Sequence, residues 1–251
     1  MSDLALLKVG GAHVQVGDNL TRLIEALTHL IRERQLVIVH GGGADIARLQ
    51  ERLGLESRFV DGLRVTDADS LWAAEMALSG AVNKRLAARL VAEGVRAIGI
   101  SGVDAGLLRA RRMVHPKGDL GRVGEITQVE ASSLTELLGL GFTPIVSPIS
   151  LGEDGRPYNV NADHAALAIA SALGVREMIF LTDVPGVMLD GEVLSTLSAD
   201  RALALIESGD ITGGMIPKTR SALQALEDGV GSVRITDIEG LGAGTGTWVR
   251  G

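Results

Sequence analysis

Short apolar runs alternate along this chain with glycine-rich turns and with amphipathic segments of helical length. The runs 4–9 (LALLKV) and 36–39 (LVIV) predict buried strands. Between them, apolar residues recur every three or four positions over 18–34, which predicts a helix with one buried face. Each strand continues into glycines, at 10–11 and at 41–43, so the local order is strand, glycine turn, helix.

The same succession of elements extends along the rest of the chain. Further helices are predicted over 44–54, 69–93, 132–140, 162–173, 199–208 and 217–228. Further strands are predicted over 95–100, 143–147, 177–182 and 232–236. The stretches 57–66, with Asp61-Gly62 at its turn, and 109–126 alternate apolar and polar residues as hairpins do at the edge or mouth of a sheet. Repeated strand–helix units predict an α/β fold with a mainly parallel sheet.

Four glycine turns fall where predicted strands end or helices begin, at 10–11, 41–43, 185–186 and 213–214. In an open α/β sheet, ligands bind beyond the carboxyl ends of the strands, so these turns are expected to border one cleft. Glycine lets an anion approach backbone N–H groups closely, although any one of these pairs could form an ordinary tight turn. The P-loop and dinucleotide motifs are absent, because Pro217 and Ile46 stand where they need glycine or alanine.

Composition narrows the class of protein. The 251 residues are 46% hydrophobic, with only three Phe, two Trp and one Tyr, which predicts an aliphatic core. The net charge of −7 disfavours a nucleic-acid-binding surface but allows a local cationic pocket. The chain has no cysteine, and its five histidines lack metal-binding spacing, so no metal ligand is expected. The start, MSDLALLKVGG, has no signal-peptide pattern, and no run of about 18 apolar residues occurs. We therefore expect a cytoplasmic protein with neither nucleic-acid nor membrane partners.

Two lysines accompany the glycine turns. Lys8 precedes Gly10 and Gly11, and Lys218 stands near the start of a predicted helix, where the helix dipole disfavours a cation. Lysines in such positions are candidates for binding an anion. The alternative for both is a lysine whose flexible stem reaches solvent.

Other candidate ligand-binding side chains lie in two further stretches. Asn159, Asn161 and Asp163 alternate, so in an extended chain they would point to one side, although Asn161 or Asp163 could instead cap the following helix. Arg58 and Arg64 lie in the predicted hairpin, and an arginine can bind a carboxylate through two hydrogen bonds.

Seven motifs occur in the order found in the N-acetyl-L-glutamate kinases, and the chain thereby resembles the amino acid kinase family. They are KVGG (8–11), VHGGG (39–43), FVDGLRVTD (59–67), VNK (82–84), YNVNAD (158–163), LTDVPGV (181–187) and GGMIPK (213–218). The resemblance implies a three-layer αβα sandwich around a mainly parallel sheet, with hairpins on the substrate side. It also implies an amino-acid-binding lobe over 1–174 and a lobe over 175–251 that binds ATP with Mg²⁺.

The resemblance assigns roles to individual residues. Lys8 and Lys218 would flank the transferred phosphoryl group, and Asp163 would hold both lysines by hydrogen bonds. Substrate would contact Gly42, Gly43, Arg64, Asn159 and Asn161. The nucleotide would contact Gly10, Gly11, Leu181, Thr182, Asp183, Val184, Pro185, Gly186, Thr212, Gly213, Gly214 and Met215.

The activity that this resemblance implies is ATP-dependent phosphorylation of the γ-carboxylate of N-acetyl-L-glutamate, the second step of arginine biosynthesis. A kinase of carrier-protein-linked aminoadipate or glutamate in lysine biosynthesis is an alternative, and a non-catalytic ligand sensor is another. Arginine-inhibited hexamers of the family carry a helix before the first strand, whereas only three residues precede it here, so we expect a homodimer.

Overall fold

The computed structural model describes residues 3–251. Its helices are α1 (Asp18–Glu33), α2 (Gly43–Arg52), α3 (Ala68–Glu75), α4 (Asn83–Ala92), α5 (Ser132–Gly139), α6 (Ala162–Leu173), α7 (Ala199–Glu207), α8 (Met215–Glu227) and α9 (Ile238–Ala243). Its strands are β1 (Leu4–Val9), β2 (Gln35–His40), β3 (Phe59–Val60), β4 (Leu63–Arg64), β5 (Ala97–Gly102), β6 (Leu108–Arg112), β7 (Val123–Val129), β8 (Thr143–Gly152), β9 (Pro157–Val160), β10 (Glu177–Leu181), β11 (Met188–Leu189), β12 (Glu192–Val193), β13 (Thr196–Ser198), β14 (Ser232–Thr236) and β15 (Thr247–Arg250).

An 11-stranded sheet forms the centre of the molecule, in the order β13-β15-β14-β10-β1-β2-β8-β6-β7-β9, with β5 also paired to β8. The middle of the sheet, from β14 to β8, is parallel throughout. The pairs β14–β15, β6–β7 and β8–β9 are antiparallel. The prediction of a mainly parallel sheet is therefore confirmed.

Helices cover both faces of the sheet. Side chains of α5, α6, α7 and α8 pack with one face, and those of α1, α4 and α9 pack with the other. Strand β1 contributes to both clusters, since Leu6 faces α6 while Leu7 faces α1, as the alternation of side chains along a strand requires. This three-layer arrangement confirms the predicted αβα sandwich.

Several elements differ from the prediction. The helix predicted over 69–93 is interrupted by a π-helical turn, Met76–Val82, between α3 and α4. The hairpin at 57–66 forms as predicted, with Asp61 and Gly62 both at positive φ (48° and 79°). The second hairpin is part of the main sheet rather than laid over it, because β6 pairs with β8.

Five short elements near the carboxyl end were not predicted from the sequence. They have two to six residues each and are β11, β12, β13, α9 and β15. Segments of this length carry too few apolar positions to show a period. The sheet runs without interruption past residues 174–176, since β10 pairs with β1, and the division into two lobes stays a prediction. Within residues 3–251, no helix is both long and apolar enough to cross a membrane.

Candidate active site

Two glycine turns meet at the carboxyl ends of neighbouring parallel strands. Strands β1 and β2 pair in a register that sets Val9 beside His40, so the turns that follow them emerge at the same edge of the sheet. The Gly41 N–H donates to the Val9 carbonyl at 2.9 Å. A Cβ atom on Gly11 would lie only 3.1 Å from the Gly43 nitrogen, so the two turns touch and a side chain there would push them apart.

Lys8 and Asp163 are brought together at this edge. Lys8 shares the strand face of Leu6, which α6 covers, and Asp163 is in the first turn of α6. Lys8 Nζ lies 2.8 Å from Asp163 Oδ1, and only 12% of the lysine side chain is exposed. The two side chains therefore form an ion pair at the carboxyl edge of the sheet.

A cavity of about 240 Å³ opens beside this ion pair. Of the residues singled out from the sequence, its lining includes Lys8, Gly11, Gly42, Gly43, Arg64, Asn159, Asn161 and Asp163. Sequence reasoning missed its apolar wall, which includes Ile46, Phe59, Leu63, Leu78, Val123 and Pro148. These apolar residues come from six separate elements, and among them Phe59 and Leu63 alone share a motif, FVDGLRVTD.

Arg64 is the buried cation of the cavity, with 9% exposure. Its Nη1 donates to Gln50 Oε1 at 2.5 Å and to Ser57 Oγ at 2.8 Å, and its Nη2 donates to the Gly43 carbonyl at 3.0 Å. The guanidinium carbon also lies 4.6 Å from the centre of the Phe59 ring. Because a guanidinium has five N–H donors, two remain, which is the number that a bidentate carboxylate contact needs.

Gln50 and Ser57 hold this arginine, and neither was predicted to have a role. Gln50 is fully buried on α2, where its Nε2 donates to Ser70 Oγ at 2.9 Å. A glutamine on an amphipathic helix carries no sequence signal that distinguishes such a buried position from an exposed one. Arg58, the other arginine of the hairpin, is exposed and does not line the cavity.

The asparagines divide between binding and capping positions. Asn161 caps α6 by accepting a hydrogen bond from the Asp163 N–H at 2.8 Å, as the capping alternative predicts. Asn159 lies on β9, where its Nδ2 donates to Thr66 Oγ1 at 3.2 Å. Both residues still line the cavity, so capping does not remove Asn161 from it.

Of the residues that the resemblance assigns to ATP, Gly11 is in the lining of this cavity, and the others within residues 3–251 are not. Leu181 ends β10 in register with Val9, so the loop after it starts next to Gly10. Thr182 is buried, and Asp183 is exposed with Oδ1 3.2 Å from His13 Nε2. The remaining positions form the β10–β11 loop and the start of α8: Val184, Pro185, Gly186, Thr212, Gly213, Gly214 and Met215.

Asp163 pairs with Lys8 but not with Lys218, the second lysine that the resemblance assigns to it. Lys218 is half-buried in the first turn of α8, which no acidic residue of the helix occupies. Among residues 3–251 no carboxylate lies within ion-pairing distance of its Nζ, so it does not touch Asp163. The same described range holds no cluster of three His, Asp or Glu side chains arranged to bind a metal ion.

Known proteins resemble this chain in sequence and in fold. Acetylglutamate kinase of Roseiflexus sp. (strain RS-1) is 52% identical over 237 residues, which are 94% of this chain and 89% of that protein. The crystal structure of smu.665 from Streptococcus mutans UA159 superposes with a TM-score of 0.83 at 31% identity, covering 100% of this chain and 99% of that one. An N-acetylglutamate synthase from Neisseria gonorrhoeae, complexed with coenzyme A and N-acetyl-glutamate, has a TM-score of 0.87 at 27% identity over 99% of this chain and 59% of that one. The model of the amino acid kinase family matches residues 3–237, and the chain belongs to that family.

Proposed function

We propose that this protein transfers the γ-phosphoryl group of ATP to N-acetyl-L-glutamate, forming ADP and N-acetyl-L-glutamyl 5-phosphate. The observation that carries the proposal is the cavity beside the Lys8–Asp163 ion pair, where a cation, two glycine turns and the spare donors of Arg64 face one space. Curated relatives 42–52% identical over most of the chain are named acetylglutamate kinase. On that basis we place the reaction in arginine biosynthesis.

The acceptor needs no general base. A γ-carboxylate has a pKa of about 4.3 and is already ionised at neutral pH, so it can attack phosphorus directly. The task of the protein is then to bring two anions into line and to stabilise charge on the moving phosphoryl group. Lys8 supplies a positive charge at the glycine turns, and Asp163 fixes the direction of that ammonium. Arg64 binds a carboxylate of the acceptor and thereby orients the γ-carboxylate that reacts.

ATP is assigned to the other side of the glycine turns. The loop after β10 starts next to Gly10, because Leu181 pairs with Val9, and the start of α8 supplies a helix N-terminus, which favours phosphate. Lys218, in the first turn of α8, would reach the transferred group from the side opposite Lys8. Mg²⁺ accompanies ATP as part of the substrate and is held mostly by phosphate oxygens and water.

The two alternatives have less support. A carrier-protein substrate is acidic and calls for a basic rim, whereas the chain has a net charge of −7. A non-catalytic sensor has no use for the ion pair that Lys8 and Asp163 form. Since the fold also occurs in an N-acetylglutamate synthase, the fold alone does not decide the reaction, and the residues of the site carry the argument.

The test is acyl-phosphate trapping with hydroxylamine, using purified protein, MgATP and N-acetyl-L-glutamate. We expect hydroxamate to form with equimolar ADP, and Lys8→Ala to abolish most of it. Glutamate and an aminoadipate-loaded carrier protein serve as competing acceptors. No hydroxamate with acetylglutamate, or faster reaction with the carrier, would refute the proposal. We further expect a cytoplasmic homodimer, which light scattering during gel filtration and cell fractionation would check.

A further inference from the structure

A buried histidine lies directly beneath the second glycine turn and has no part in the reaction described above. His40 ends β2 and is fully buried. Its Nδ1 is 2.9 Å from the Gly41 carbonyl oxygen, and its Nε2 is 3.1 Å from Nδ2 of Asn83, which is also fully buried. Both ring nitrogens are therefore occupied, one of them by the glycine turn itself.

The surroundings of Asn83 define which ring nitrogen carries the proton. Asn83 Nδ2 lies 2.9 Å from the Ile145 carbonyl and 3.1 Å from the Ile100 carbonyl, and carbonyls only accept hydrogen bonds. Lys84 Nζ, a donor, lies 3.2 Å from Asn83 Oδ1, which gives the amide the same orientation. Asn83 Nδ2 has two protons for these three neighbours, so the carbonyls and His40 Nε2 share them. An amide nitrogen accepts no hydrogen bond, so a proton on His40 Nε2 would have no acceptor there. Nδ1 therefore carries the proton and donates to the Gly41 oxygen. Burial lowers the pKa of His40 to about 4, so this ring is neutral at pH 7.

This hydrogen bond bears on the direction of the next N–H group. The Gly41–Gly42 peptide is trans and planar, so holding its carbonyl oxygen toward His40 directs the Gly42 N–H to the opposite side. Gly42 lines the cavity, and within residues 3–251 its N–H donates to no backbone or side-chain acceptor. That donor is thus available to a ligand.

The π-helical turn, Met76–Val82, packs against the second glycine turn. A Cβ atom on Gly42 would lie 2.7 Å from Leu78 Cδ2 and 3.2 Å from Val82 Cγ2, so the turn packs directly against Gly42. The same π-helical turn ends at Val82 and presents Asn83 to His40. A π-helical turn changes which residues face inward, and such turns are frequent at functional sites.

We propose that His40, oriented by Asn83, is a positioning residue that aims the Gly42 N–H at the anion undergoing phosphoryl transfer. The proposal rests on the proposed function for the identity of that anion. It assigns His40 no proton transfer and no contact with substrate. The aimed N–H group stabilises charge that develops in the transition state. Loss of His40 should therefore change kcat more than the KM of either substrate.

Two substitutions distinguish the roles of the two ring nitrogens of His40. His40→Asn keeps a donor near the Nδ1 position and loses the partner of Asn83, whereas His40→Gln keeps a polar group near Nε2 and loses the donor to Gly41. We expect His40→Gln to lower kcat by about 10- to 100-fold with each KM within about threefold, since a misdirected donor acts on the transition state. His40→Asn should restore kcat to within about fivefold of the unmodified protein. His29→Gln, on the exposed surface of α1, is the matched control.

A second measurement keeps the proposal independent of folding and of the substrate. Nitrogen-15 NMR of the unmodified protein should show the His40 proton on Nδ1 from pH 6 to 8. Circular dichroism and melting temperature identify any variant that fails to fold. Equal kcat for folded His40→Gln and the unmodified protein, or a proton on Nε2, would overturn the proposal. The NMR result decides this even if acetylglutamate is not phosphorylated, an outcome that would refute only the proposed function.

Discussion

Removing the Arg64 guanidinium is the sharpest test of which ligand the cavity binds. Three of its five N–H donors are used by Gln50, Ser57 and the Gly43 carbonyl, and these contacts fix the plane of the group. The two remaining donors would bind one carboxylate of acetylglutamate. Arg64→Ala should therefore impair binding of the acceptor and leave the binding of ATP unchanged.

The magnitude follows from burial. Hydrogen bonds to charged groups contribute about 1.5–3 kcal/mol each, and Arg64 is 9% exposed, so solvent weakens them little. Losing both contacts, with some compensation by water, costs about 3 kcal/mol, or roughly 100-fold in kcat/KM for acetylglutamate. Arg64→Lys keeps the charge without the planar pair of donors, and should lose about tenfold.

The assay is steady-state kinetics with each substrate varied at saturating concentration of the other. We expect the KM for acetylglutamate to account for most of the loss and the KM for ATP to stay within twofold. Arg58→Ala is the matched control, because this arginine is on the same hairpin but is exposed and outside the cavity. A folded Arg64→Ala with an unchanged KM for acetylglutamate, or with a defect confined to ATP, would refute the reasoning.

Four further predictions concern the surroundings of the cavity. Lys8→Ala and Lys218→Ala should each lower kcat by about 10²- to 10³-fold with the fold intact, as stopped assays and circular dichroism would show; near-normal turnover in both would contradict the roles assigned to them. Gln50→Leu should raise the KM for acetylglutamate about tenfold by releasing Arg64, in the same kinetic assay. Gly11→Ala should lower kcat, because the added methyl would press on the second glycine turn, 3.1 Å away. Since burial lowers the pKa of His40 to about 4 whereas an unfolded histidine titrates near 6.5, the unfolded chain binds more protons between these values and stability rises with pH there. In urea unfolding, the unmodified protein should lose up to about 3 kcal/mol more than His40→Gln between pH 7 and pH 4, and parallel losses would contradict the buried neutral ring.

Local sequence was sufficient for the framework of the fold. Apolar runs such as 36–39 form buried strands because they are continuous, and α1 forms where apolar residues recur at helical spacing. The hairpin at 57–66 was predicted because Asp61-Gly62 suits two consecutive positive φ angles. The π-helical turn was not predicted, since its sequence continues the apolar pattern of the flanking helices. The extra residue in a π-helical turn has no local sequence signature.

Local sequence patterns specify the order of strands, helices and glycine turns, and the residue types that anion chemistry needs. Tertiary structure alone decided which of them meet. Lys8 reaches Asp163 because α6 crosses the strand face on which the lysine lies, although the two are 155 positions apart in the chain. Gln50 contacts Arg64 and His40 contacts Asn83, and both contacts join residues of different elements. The local sequence around Gln50 and His40 does not indicate these contacts. Spacing along the chain constrains only neighbours within an element, whereas distances between elements depend on how helices pack on the sheet.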